Sequence, residues 1–115
     1  MQVNLRREND IVIADLSGRL VLGEAQEALR DTVEELIAGG DRKILLNVSN
    51  LARVDSSGIG ELVAALKLAQ SVDARLALLQ IEESIRRILD MSRVLPLFEN
   101  YSDEAEAVAA LSDEA

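Results

Sequence analysis

"ILLNVSNLARVDSSGIGELV", Ile44 to Val63, changes character twice within twenty residues. Ile44 to Val48 is a short, nearly continuous apolar run, interrupted only by Asn47. A run of that length suits a strand buried on both faces of a largely parallel sheet. Ser49 to Val54 reads as a loop. From Ile59 onward the spacing is helical, because Ile59, Leu62, Val63, Leu66 and Ala69 share one face. Strand, loop and amphipathic helix in this order make half of a β-α-β unit. They leave Asp55, Ser56 and Ser57 at a helix start.

The flanking chain repeats the alternation. Val3 and Leu5 alternate with Asn4 and Arg6, Arg7 to Asp10 has turn chemistry, and Ile11 to Leu16 is β-branched and apolar. This predicts a hairpin whose first strand is half exposed and antiparallel at a sheet edge. Ser17-Gly18 breaks the pattern. A helix is expected from Glu24, with Ala25, Ala28, Leu29, Val33, Leu36 and Ile37 on one face and Gly39-Gly40 as its stop. Leu76 to Ile81 reads as a second buried strand. Ile85, Ile88 and Leu89 mark a short helix that must end before Pro96. Leu97 to Tyr101 is a candidate last strand. Ser102-Asp103-Glu104 looks like a helix cap with acids in its first turn, continued by Ala105, Val108 and Leu111. The predicted fold is α/β: one domain over residues 1–115, with a mixed, mostly parallel sheet of four to five strands and about four helices packed on it. Ile44–Val48 should be central, and the tail from about residue 112 should fray.

Composition narrows function. The chain has 115 residues, 49% of them hydrophobic, and Phe98 and Tyr101 are its only aromatic side chains. The core must therefore be aliphatic. A formal net charge of −9 argues against nucleic acid and against an anionic membrane surface, both of which select Lys and Arg. It favours a soluble protein that meets a basic patch on a partner. With no cysteine and no histidine, disulfides, zinc clusters, Cys nucleophiles and Ser–His triads are excluded. No metal or cofactor is expected to be needed for folding. The first ten residues lack the apolar segment of a signal peptide, and no apolar run approaches the ~20 residues of a membrane helix. The expected location is the cytoplasm, without membrane insertion.

The Asp-Ser-Ser-Gly segment admits two readings. Asp and Ser are favoured helix caps, since a side-chain oxygen accepts an unpaired backbone N–H. Gly58 and Gly60 would allow a neighbouring element to approach closely. A phosphate-binding loop is not supported, because no GxxxxGK[ST] or GxGxxG occurs. A nucleophilic Ser56 lacks a base, since the neighbouring Asp55 is poorly placed to take its proton and the chain has no histidine. The other reading makes the serine a substrate of another enzyme. A phosphate there would add about −1.5 to −2 charge, which a helix N-terminus tolerates and a docked partner does not.

The chain resembles the STAS domains of bacterial anti-sigma factor antagonists. The resemblance spans nearly all of it and rests chiefly on "VDSSGIG" (Val54–Gly60) after the strand "ILLNVSNL" (Ile44–Leu51). "RRILDMS" (Arg86–Ser92) and "GRL" (Gly18–Leu20) add weaker similarity. The resemblance implies a non-enzymatic regulator in a partner-switching cycle. The unmodified antagonist binds an anti-sigma factor that is also a serine kinase of the histidine-kinase ATPase type. That kinase phosphorylates the serine after the Asp, here Ser56, and a phosphatase resets it. The implied partner surface is Asp55, Ser56, Ser57, Gly58, Ile59 and Gly60. Base, Mg²⁺ and ATP come from the kinase, so the missing histidine is no obstacle.

One segment departs from the family pattern. Many antagonists carry acids after the second strand, in a Gly-Glu-Leu-Asp-like segment. Here "GRLVLGEA" places Arg19 and Val21 at those positions, which bears on the identity of the kinase. The same fold also serves as a scaffold subunit of a large signalling assembly, or as a STAS subunit bound to a transporter ATPase. Arg86-Arg87 read as a solvated face, Glu82-Glu83 as a helix start, and Asp103 to Glu106 as another.

Overall fold

The structure, a computed structural model, describes residues 1–23 and 26–112, the side chains of residues 26 and 27 excepted. Five strands lie in the order of the chain: β1 (Gln2–Glu8), β2 (Ile11–Leu20), β3 (Lys43–Val54), β4 (Arg75–Leu79) and β5 (Glu99–Tyr101). β1 pairs antiparallel with β2 through a tight turn at Asn9, and the other three pairings are parallel. Between the parallel strands run α1 (Gln26–Ala38), α2 (Ser56–Gln70) and α3 (Glu83–Met91), and α4 (Glu104–Ser112) ends the chain.

The strand order explains the layers. Each crossover from β2 onward moves to the next strand on the same side. Right-handed crossovers then place α1, α2 and α3 on one face. The two apolar clusters match this arrangement. On that face Val12, Ala14, Ile44, Leu46 and Leu78 pack under Leu29, Val33, Leu62, Leu66 and Leu89. On the other face Ile11, Ile13, Leu45, Ala77 and Leu79 are covered by Ala107 and Leu111 of α4. Ile44, Leu45 and Leu46 are fully buried, as expected of a central strand.

The expected elements are present, with shifted ends. Ser49 to Val54 is not a loop. β3 continues through it, paired with β2 at Ser17–Asn50, Gly18–Leu51, Arg19–Arg53 and Leu20–Val54. β2 likewise runs past Ser17-Gly18, with Gly18 at a positive φ of 96°. Two register shifts interrupt this ribbon, so Leu51 and Val54 face the core three residues apart instead of two or four. β4 stops at Leu79, before Ile81, because Gln80 turns the chain at φ 57°. β5 begins at Glu99, since Leu95–Leu97 form a 3-10 turn around Pro96. The expected helix start at Glu24 and Ala25 lies outside the described residues, as does the tail beyond Ser112 that was expected to fray.

An ion network ties the edge strand to α4. The Arg6 guanidinium donates to Asp15 (2.6 Å from Nε) and to Glu104 (2.7 Å from Nη2), and Asn47 donates to Asp15 at 2.8 Å. Arg6 above all holds the Asp15 carboxyl below its ordinary value of 3.8. A lowered carboxyl stabilises the fold above that ordinary value. The contribution is lost as pH falls through the lowered one. Solvent screening keeps each such pair to about 1 kcal/mol or less. Melting temperature should therefore fall as pH is lowered from about 5 to about 3. Arg6→Gln should melt lower at neutral pH and show a shallower acid slope. Parallel slopes for the two proteins would mean that Arg6 does not hold Asp15.

Candidate functional site

The site is the junction where β3 ends and α2 begins. Val54 is buried, and Asp55 follows in extended conformation as the helix cap. Asp55 Oδ1 accepts the Gly58 N–H at 2.9 Å, and Oδ2 accepts the Leu22 N–H at 2.9 Å. These backbone donors, Leu22 first and Gly58 second, hold the Asp55 carboxyl below its ordinary range, so it is charged at neutral pH. Ser56 is the first residue of α2 and is exposed, Ser57 is half-buried, Gly58 and Ile59 are buried, and Gly60 is exposed. The cap oxygen thus comes from Asp55, with neither serine in that role. The first turn of α2 carries no acid, leaving the positive end of its dipole to act on whatever anion is placed there.

The two glycines differ. A Cβ on Gly58 would lie 2.0 Å from the carbonyl oxygen of Leu20, so only glycine lets the end of β2 rest on α2. At Gly60 a Cβ would meet nothing within 4 Å among the described residues, so the expected close approach is seen there at Gly58 and not at Gly60. Gly58→Ala should therefore cost on the order of 1–3 kcal/mol or more, as overpacking does. Gly60→Ala should be neutral or stabilise by up to about 1 kcal/mol, because alanine is the better helix former. Thermal melts of both variants check this, and equal melting temperatures would contradict the packing described.

The residues that depart from the family pattern sit at the same junction. Arg19 lies opposite Arg53 in the β2–β3 register and is exposed, Val21 is half-buried, and Leu22 is 73% exposed. Leu22 had no signal of its own in the sequence, and Leu20 had only that of the short "GRL" segment. The link from Leu22 to Asp55 spans 33 residues. Arg86 is half-buried and donates to Asn100 at 3.3 Å, and Arg87 is exposed. Asp103 caps α4 by accepting the Glu106 N–H at 3.0 Å, as expected of a helix start. Among the described residues no group of three or more acidic side chains could hold a metal ion, and no helix is long and apolar enough to cross a membrane.

A mixed sheet with three successive parallel crossovers, and a serine pair behind an aspartate cap at the second, defines a small α/β domain with one elaborated helix start. A family model for the STAS domain matches residues 2–107, and the chain belongs to that family. An anti-sigma F factor antagonist of Paenibacillus polymyxa is 27% identical over 112 residues, covering 96% of this chain and 95% of its own length. Among solved structures, the Bacillus cell fate determinant SpoIIAA in its phosphorylated form superposes with a TM-score of 0.72 at 25% identity, covering 95% of this chain and 98% of that one. An anti-sigma factor antagonist from Mycobacterium paratuberculosis reaches 0.85 at 16% identity, covering 97% and 94%, which shows the shared fold.

Proposed function

We propose that this chain is a non-enzymatic anti-sigma factor antagonist of the cytoplasm, which binds an anti-sigma factor serine kinase and is inactivated by phosphorylation at Ser56. The observation that carries this reading is the division of labour at the helix start. Asp55 supplies the cap, and Ser56 stands exposed as the first helical residue. A serine needed for the cap would be lost to modification at a cost to the fold, and Ser56 is not so needed. Two relatives support the same reading, one named as an antagonist and one solved in a phosphorylated form.

In the proposed step the Ser56 Oγ attacks the γ-phosphorus of ATP held by a kinase of the histidine-kinase ATPase type. A base on the kinase takes the hydroxyl proton, and ADP leaves. Asp55, Ser57, Gly58, Ile59 and Gly60 form the surrounding contact surface, and a phosphatase restores the hydroxyl. Each serine-kinase anti-sigma factor of the same genome, incubated with this chain and Mg²⁺-ATP, provides the test, with the phosphate mapped by mass spectrometry. Phosphate on Ser56 is expected. Phosphate on Ser57 alone would move the site, and no transfer from any of them would overturn the mechanism.

A further inference from the structure

Leu22 is a large apolar side chain left 73% exposed, yet its backbone is tied down. Its N–H donates to one oxygen of Asp55 while the other oxygen caps α2, both at 2.9 Å. One carboxylate therefore joins two segments 33 residues apart, and it belongs to the residue immediately before Ser56. Leu20, two residues before Leu22, rests its carbonyl against Gly58 at a spacing that admits no side chain. A helix cap needs a single acceptor oxygen, which Ser or Asn supplies as well as Asp. The second oxygen of Asp55 accepts the Leu22 N–H. Single exposed leucines are ordinary on protein surfaces. This one differs because its backbone is fixed to the helix start that presents Ser56. An apolar side chain carried on a backbone already held beside Ser56 suits an interface anchor, since less of the chain remains to be ordered on binding.

We propose that Asp55 is a positioning residue that holds Leu22 beside Ser56 as an apolar anchor, and that the anti-sigma factor reading Ser56 carries an apolar pocket for that leucine. The proposal rests on the partner-binding function above and adds the chemistry of the partner's surface. The kinase need not present a charged group opposite this segment, where Val21 and Leu22 follow Arg19. Asp55 lies within the proposed contact surface, and its further effect runs through Leu22, which the amide exchange of Leu22 reads separately.

The test titrates the unmodified chain, Leu22→Ala, Leu22→Met, Asp55→Asn and Ser56→Asp into the purified serine-kinase anti-sigma factors of the same genome, without ATP. Melts and amide hydrogen exchange at residue 22 accompany each titration. Leu22→Ala should bind at least about tenfold more weakly with an unchanged melt, and Leu22→Met should stay within about threefold, as for an anchor in a pocket. Asp55→Asn keeps one acceptor oxygen and caps as well as aspartate. A mere cap predicts no change in it. The positioning role predicts about tenfold faster exchange of the Leu22 amide and a parallel loss of affinity. Leu22→Ala binding like the unmodified chain, while Ser56→Asp binds weakly, would overturn the anchor and leave the function standing. Asp55→Asn with both Leu22 protection and affinity intact would overturn the positioning role. An unmodified chain that binds none of these kinases would overturn the function and the pocket together, and amide exchange would still decide whether Asp55 holds Leu22.

Discussion

Leu46→Asp should give no cooperatively folded protein. Leu46 is fully buried in β3, with Ala14 of β2 and Leu78 of β4 as its register partners. It lies in the cluster that joins the sheet to the helices on its larger face. Removing its side chain alone costs about 2–5 kcal/mol. Placing a carboxyl among aliphatic neighbours adds several kcal/mol more, whether the group stays charged or is forced to protonate. The stability of a domain this size is about 5–15 kcal/mol, so the sum removes most or all of it. Leu46→Met, which keeps volume and polarity, should cost less than about 1.5 kcal/mol. Circular dichroism melts of the two variants check this. A normal melt for Leu46→Asp would mean that β3 is not the central buried strand.

How much of this was legible in the sequence follows from where the burial is local. Ile44 to Leu46 and Leu76 to Leu79 read as strands because both faces are apolar, and that pattern survives without knowledge of neighbours. The helical stripes of α1, α2 and α3 survive for the same reason. The second half of β3 did not read as a strand. Ser49, Asn50 and Arg53 are polar, and the bulged ribbon spaces Leu51 and Val54 by three, which destroys the alternation. The helix start itself was plain from Asp-Ser-Ser-Gly. Which oxygen caps it was not, because Asp and Ser are near-equal caps and only the geometry chooses Asp55. Gly58 and Gly60 looked alike in sequence. Leu20 distinguishes them, and it sits on another strand.

Phosphorylation of Ser56 should weaken partner binding by roughly thirty- to several-thousand-fold while leaving the fold almost unchanged. Both halves follow from the same charge. The phosphate adds about −1.5 to −2 beside the ionised Asp55, giving a local charge of roughly −2.5 to −3. Within the domain that charge sits at the N-terminus of α2, where no other acid occupies the first turn. The dipole and the repulsion from Asp55 largely offset one another, and stability should change by less than about 1 kcal/mol. Across an interface built around a hydroxyl, the same charge must be desolvated without a partner group. That costs on the order of 2–5 kcal/mol. Ser56→Ala, which cannot be modified, should bind the kinase persistently and resist release by ATP.

Titration calorimetry of Ser56→Asp against the kinase that binds the unmodified chain, with a thermal melt of the same sample, tests the central claim most directly. The account predicts a melt like that of the unmodified chain together with a large loss of affinity, smaller than that caused by phosphate because one carboxylate carries less charge. An unaltered melt together with unaltered affinity would contradict the electrostatic switch and leave Ser56 as an ordinary residue of a capped helix.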